Sequence, residues 1–201
     1  MFYNFFHRTN YVFKEMEKTI VLVGLMGAGK STIGKRLAKT LGIEFRDSDD
    51  EISEAAGCSI SDLFYIHGEA IFRDLEKRVL TRLLTDGVPK VLATGGGAWM
   101  NGEIRALTAK HARSVWLKAQ LSVLVDRVSR RNTRPLLEQD DKEAILSKMM
   151  DERYPFYTEA DVTIDSDSGN HELIVNAILR SLGHESRHHQ MRGEEWMQKQ
   201  L

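Results

Sequence analysis

The segment most capable of chemistry is GLMGAGKST, residues 24–32, in which Gly24, Gly29, Lys30 and Ser31 fall on the pattern G-x-x-x-x-G-K-[ST]. Glycines let the backbone turn tightly, so its N–H groups can close on phosphate oxygens. The helix that follows points its positive end at the same anion. In this pattern the N–H groups of Gly27, Ala28, Gly29, Lys30, Ser31 and Thr32 cradle a nucleoside triphosphate, Lys30 reaches the β- and γ-phosphates, and the Ser31 hydroxyl ligates Mg²⁺. The motif describes a phosphate donor and leaves the acceptor open.

Three further segments could hold the acceptor. Asp47-Ser48-Asp49 ends the short strand expected at IEFRD (43–47), where one carboxylate could face a metal and the other a hydroxyl. The same acids also suit solvated loop positions, or a helix start with Asp49, Asp50 and Glu51 in its first turn. In GEAIFRDLEKRVL (68–80), Arg73 stands at the edge of an apolar stripe, with Glu69 four residues before it and Glu76 three after. An arginine oriented by two acids suits bidentate recognition of a carboxylate, and a surface ion pair is the plainer alternative. Finally, ATGGGAW (93–99) places Gly95, Gly96 and Gly97 after an apolar run. Three consecutive glycines are costly in backbone entropy and make sense where backbone must approach a ligand. Many phosphate-loop proteins carry a metal-binding aspartate at that strand end; Thr94 and glycines stand here, which moves the metal carboxylate to Asp47.

The elements that must position these residues alternate strand and helix. Strands are expected at 19–23, 43–47, 90–94, 114–118 and 162–164. Helices are expected at 30–41, 48–56, 59–66, 68–84, 101–109, 120–129, 141–153 and 170–182, and Cys58 is read as a partly buried helix residue. The 68–84 helix should bury Ile71, Phe72, Leu75, Val79, Leu80 and Leu83. RRNTRPLLEQD (130–140) is polar, basic and broken by Pro135, hence a loop. Alternation of this kind implies an α/β fold, a mainly parallel sheet covered on both faces.

Composition excludes several classes. The chain has 201 residues, a formal net charge of -1, 42% hydrophobic and 28% charged residues, which fits one globular domain with no basic field for nucleic acid. One cysteine allows no internal disulfide and suits a reducing cytosol. No apolar run approaches the roughly 20 residues of a membrane span. Residues 1–17 are aromatic but interrupted by Asn4, His7, Arg8, Asn10 and Lys14, which does not fit a secretory signal. They read as an extension outside the core, and 183–201 as a polar tail carrying His184, His188 and His189.

Taken together, GLMGAGKSTIGKRLA (24–38), FRDSD (45–49), GEAIFRDLE (68–76), LATGGGA (92–98) and RNTRPLL (131–137) resemble the shikimate kinase family over roughly residues 18–182. The resemblance implies a three-layer α-β-α fold of the nucleoside monophosphate kinase-like P-loop class, with a five-stranded parallel sheet and a mobile lid at about 129–141. It implies transfer of the γ-phosphoryl group of ATP to the 3-hydroxyl of shikimate, with Mg²⁺, in chorismate and aromatic amino acid biosynthesis. A cytoplasmic monomer is expected, with ATP and shikimate as its partners and neither nucleic acid nor membrane. By the same resemblance Lys30 and Ser31 keep their phosphate and metal roles and Asp47 holds Mg²⁺. Asp49 binds the substrate hydroxyls and orients or deprotonates the attacking one. Arg73 and Arg153 clamp the substrate carboxylate, while Gly95, Gly96 and Gly97 close on the ring. Arg134 is the lid arginine over the phosphates, counted with Lys30 and Asp49 as catalytic. Arg127 matches an arginine near the nucleotide more weakly, with plain surface charge as the alternative for it and for Arg131. DERYPFY (151–157) departs from the commoner basic-R-x-P-x-Y form by placing Glu152 before Arg153. Gluconate kinases, nucleoside monophosphate kinases and a nucleotide-binding module without transfer activity are the competing readings.

Overall fold

The computed structural model describes residues 18–130 and 142–183. The 1–17 extension, Arg131, Arg134 and nearly all of the expected lid, and the tail beyond Gly183 lie outside the described residues.

Five strands form one parallel sheet: β1 (Thr19–Val23), β2 (Glu44–Asp47), β3 (Lys90–Ala93), β4 (Ala112–Lys118) and β5 (Val162–Asp165), in the order β2-β3-β1-β4-β5. The helices are α1 (Lys30–Leu41), α2 (Ser48–Ala56), α3 (Ile60–Thr85), α4 (Gly102–His111), α5 (Leu121–Ser129), α6 (Lys142–Tyr157) and α7 (His171–Ser181). The central strand is apolar throughout because both of its faces are covered, and Ile20, Leu22, Leu92, Val115 and Leu117 are buried. Helix α1 packs Ile33, Leu37 and Leu41 onto this core, and Gly42 ends it in the left-handed region with φ 68°.

The register aligns the chemistry. Leu22 and Asp47 both pair with Ala93, so β1, β2 and β3 end level. The segments that leave them carry Gly24, Asp49 and Gly95 to one sheet edge, the edge where ligands bind in open α/β sheets.

Several boundaries differ from the sequence reading. The helices expected at 59–66 and 68–84 form one run, kinked at Gly68, which takes φ 78° and ψ 173°. Beyond the kink the buried stripe is Phe72, Glu76, Val79, Leu80, Leu83 and Leu84. Ile71, expected in that stripe, is 53% exposed: it sits one residue off the stripe that Phe72 and Glu76 define, and a carboxylate occupies the next turn of the buried face. Cys58 is partly buried as expected, but it lies between α2 and α3 and not in a helix. Helix α6 runs four residues past its expected end, through Pro155 to Tyr157. Lys90 opens β3 although it is only 2% exposed; its Nζ donates to both carboxylate oxygens of Asp86 at 2.6 Å and to Leu83 O at 3.1 Å.

Candidate active site

The loop from Gly24 to Gly29 turns on glycines, with Gly27 at φ 82° and Gly29, the residue before α1, at φ 96°. Lys30 Nζ donates to Gly24 O at 2.8 Å and Leu25 O at 3.0 Å, which holds the ammonium over the loop that the phosphates would enter. Gly27, Ala28, Gly29, Lys30, Ser31 and Thr32 line a cavity of about 350 Å³ that also reaches Asp47, Asp49, Gly95 and Gly96. The donor loop therefore shares one cleft with Asp49, Gly95 and Gly96.

Ser31 Oγ donates to Asp47 Oδ2 at 2.6 Å, across 16 residues of sequence. A hydroxyl and a carboxylate at this distance beside a phosphate loop are the oxygen donors a hard cation takes when phosphate and water complete its shell. Asp47 also caps α2, its Oδ1 accepting from Asp49 N at 3.1 Å. The helix-start alternative is therefore realised, with Asp47 as the cap and Asp49, Asp50 and Glu51 in the first turn of α2.

The glycine run is the junction of the acceptor side. A Cβ at Gly95 would lie 2.9 Å from Asp49 Oδ1 and 3.1 Å from Glu76 Oε1. One at Gly96 would lie 3.3 Å from Arg153 Nη1, and one at Gly97 only 2.7 Å from both Nη atoms of Arg73. Real side chains almost never come so near, so glycine is required at Gly95 and Gly97 for the charged groups to sit where they do. Asp49 from α2, Arg73 from α3 and Arg153 from α6 are brought together on three consecutive peptides.

Arg73 is held as its spacing suggests. Its Nη1 donates to Glu76 Oε2 at 2.7 Å, and its Nε and Nη2 to Glu69 Oε1 at 3.2 and 3.1 Å. The guanidinium also lies 5.0 Å from the Phe72 ring. Burial opposes its charge, but the hydrogen bonds and charges of Glu76 and Glu69 outweigh this and raise its pKa. Glu76 is only 4% exposed, and its Oε1 accepts no hydrogen bond among the described residues. Burial pushes its carboxyl above the ordinary value; Arg73 and Arg153 pull it down and Asp49 pushes it up.

Two participants are hard to see in the sequence, and a third, Arg127, is only weakly matched there. Ser48 is fully buried, and its Oγ accepts from Gly95 N at 3.0 Å, tying α2 to the glycine run. Tyr157 is fully buried and donates to Gly96 O at 2.6 Å. Its position four residues after Arg153 was the available signal, since that spacing puts both on one helix face. Arg127 is more than surface charge: it lines the cavity and donates to Ser166 O at 2.6 Å and, more weakly, to Gly27 O at 3.4 Å. Arg134 belongs to the residues outside the description.

Comparison with known proteins agrees with this geometry. The shikimate kinase family profile matches residues 26–183. A shikimate kinase from Caulobacter vibrioides is 53% identical over 165 residues, covering 82% of each chain. One from Brucella canis is 46% identical over 178 residues, covering 88% of each. Among solved structures, a shikimate kinase from Acinetobacter baumannii in complex with shikimate superposes with a TM-score of 0.78 at 37% identity, covering 84% of this chain and 94% of that one. With the phosphate loop, the Asp49–Arg73–Arg153 convergence and the strand order in place, these matches settle the assignment: the chain belongs to the shikimate kinase family.

Proposed function

We propose that the chain transfers the γ-phosphoryl group of ATP to the 3-hydroxyl of shikimate, giving shikimate 3-phosphate and ADP, a step toward chorismate and the aromatic amino acids. One observation carries this reading: Asp49 and two arginines meet on Gly95–Gly97, and Asp49, Gly95 and Gly96 line the cavity of the phosphate loop. A small carboxylate bearing hydroxyls matches that pattern of charge, and the solved relative in complex with shikimate supports the choice.

Each side chain then has a task. Phosphoryl transfer asks a protein mainly for positioning and for positive potential on the transferring group. The N–H groups of residues 27–32 and the N-terminus of α1 hold the phosphates, and Lys30 leaves its carbonyl partners for the β- and γ-oxygens. Arg73 and Arg153 take the substrate carboxylate and turn one hydroxyl toward the donor. Asp49 accepts the hydrogen bond of that hydroxyl and is placed to receive its proton. Ser31 and Asp47 would hold Mg²⁺, which when bound neutralises charge on the β- and γ-phosphates. Arg134 keeps the lid role that the resemblance gives it. A monomer working in the cytoplasm, with residues 1–17 and the C-terminal tail outside the kinase domain, completes the proposal.

The test is ADP release in a coupled assay with shikimate, gluconate and nucleoside monophosphates as acceptors. Release that depends on shikimate alone is expected; equal or faster release with another acceptor overturns the substrate assignment.

A further inference from the structure

The C-terminal half of α6 is tied to the rest of the molecule at three places, two through its own tyrosines and one through a backbone carbonyl. Tyr154 Oη donates to Ala119 O at 2.5 Å, just past β4. Trp99 Nε1, in the turn that follows the glycines, donates to Phe156 O at 3.0 Å. Tyr157 Oη donates to Gly96 O at 2.6 Å. Only the last bond ends on the glycine run itself. Arg153, one helical turn before Tyr157, reaches the same glycine from the same face.

Gly96 is also where the two halves of the cleft touch. A Cβ there would lie 3.5 Å from Gly24 O, at the start of the phosphate loop, and 3.7 Å from Tyr157 Oη. The Gly96 residue therefore lies between the helix that carries Arg153, to which its carbonyl is bonded, and the start of the phosphate loop. The ring of Tyr157 has no freedom to give way: it packs against Trp116 at 5.8 Å and Tyr154 at 6.0 Å between centroids and is fully buried.

We propose that Tyr157 is a positioning residue for the acceptor: through its bond to Gly96 O it fixes the glycine run and Arg153 in the register the carboxylate clamp requires. Burial raises the phenol pKa, outweighing the neighbouring Arg153 charge, so the hydroxyl remains a donor across the working pH range. A shift of about an ångström in such a register is enough to cost catalysis heavily, because the hydroxyl must meet the phosphorus in line. The inference rests on the functional reading above and adds to it a residue that touches neither substrate.

The experiment compares Tyr157→Phe with Tyr154→Phe. Each removes one hydroxyl from the same helix and the same aromatic cluster, but only Tyr157 acts on the glycine run. For Tyr157→Phe the KM for shikimate should rise about tenfold, the equivalent of one well-placed hydrogen bond. Its KM for ATP should stay within about twofold, since the phosphate loop keeps its own glycine geometry. Tyr154→Phe should lower the melting temperature by a comparable amount with the shikimate KM unchanged. An unchanged shikimate KM in Tyr157→Phe, an equal rise in both KM values, or an equal shikimate effect in Tyr154→Phe would each overturn the inference. If Tyr157→Phe is too unstable at the assay temperature, the same two KM values are read on a colder sample, and an unchanged shikimate KM there overturns the inference. A wild-type chain without shikimate-dependent ADP release overturns the functional reading and this inference with it.

Discussion

Replacing Arg73 with alanine perturbs two things that can be measured apart. The first is the acceptor clamp. Arg73 is fixed by three hydrogen bonds to Glu69 and Glu76 and is in close contact with Gly97, which in the proposed function holds it ready for the substrate carboxylate. Truncating one partner of a hydrogen-bonded charge pair costs about 2–5 kcal/mol. Arg73 is partly exposed, at 37% of its side chain, and Arg153 remains, so the lower part of that range applies. About 2–3 kcal/mol corresponds to a rise of about 30- to 150-fold in the shikimate KM. The second effect is on Glu76, which loses the charge that Arg73 places 2.7 Å from its Oε2. Its carboxyl is already raised by burial and would rise further. A carboxyl whose folded pKa lies above its unfolded one stabilises the fold fully at pH below the unfolded value, and that contribution is lost as pH climbs through the folded one. Arg73→Ala should therefore lose melting temperature progressively as pH rises above the ordinary carboxylate range, and Arg73→Ala/Glu76→Gln should not. Steady-state kinetics with shikimate varied, together with melting curves from about pH 4 to about pH 8, cover both. A shikimate KM within about threefold of wild type would refute the clamp, since that is less than 1 kcal/mol.

Other outcomes follow from the same geometry. Lys30→Ala should cut kcat by about a thousandfold or more, the scale of removing a main electrostatic contact to the transition state, while leaving the melting temperature nearly unchanged; ordinary kcat would contradict its role. Gly97→Ala puts a Cβ 2.7 Å from the Arg73 guanidinium, which Glu69 and Glu76 hold in place. It should raise the shikimate KM by at least about tenfold with ATP binding intact, as isothermal titration with each ligand would report. Asp86→Ala leaves the buried Lys90 ammonium with Leu83 O as its remaining hydrogen-bond acceptor among the described residues. Stability should fall by about 2–3 kcal/mol in urea unfolding, below the 3–5 of a fully enclosed pair because Asp86 is partly open to water, with kcat unchanged.

Much of the fold was legible because its signals are local. A buried parallel strand must be apolar along its length, as TIVLV is, and a phosphate loop needs its glycines, lysine and serine at set intervals. Arg73 with its two acids was visible for the same reason, since helix spacing alone brings them together. The residues that escaped notice depend on register between distant segments. Ser48 reads as a linker between two aspartates until the strand ends align and Gly95 N meets its hydroxyl. Pro155 signals the end of a helix, yet α6 continues to Tyr157, its last turns tied down by Tyr154, Tyr157 and Trp99. Ile71 and Lys90 show the same limit from opposite sides: an apolar residue left outside by a helix kinked at Gly68, and a lysine taken inside by an aspartate four residues away.

The central claim is that the charges meeting on Gly95–Gly97 select a carboxylated polyol and present one of its hydroxyls to the phosphate loop. A single-turnover reaction with γ-labelled ATP and shikimate, with the product identified by phosphorus and proton NMR, tests it most directly. Label recovered on the 3-hydroxyl of shikimate in step with ADP is the predicted result. Label recovered as inorganic phosphate, or on another hydroxyl, would contradict it.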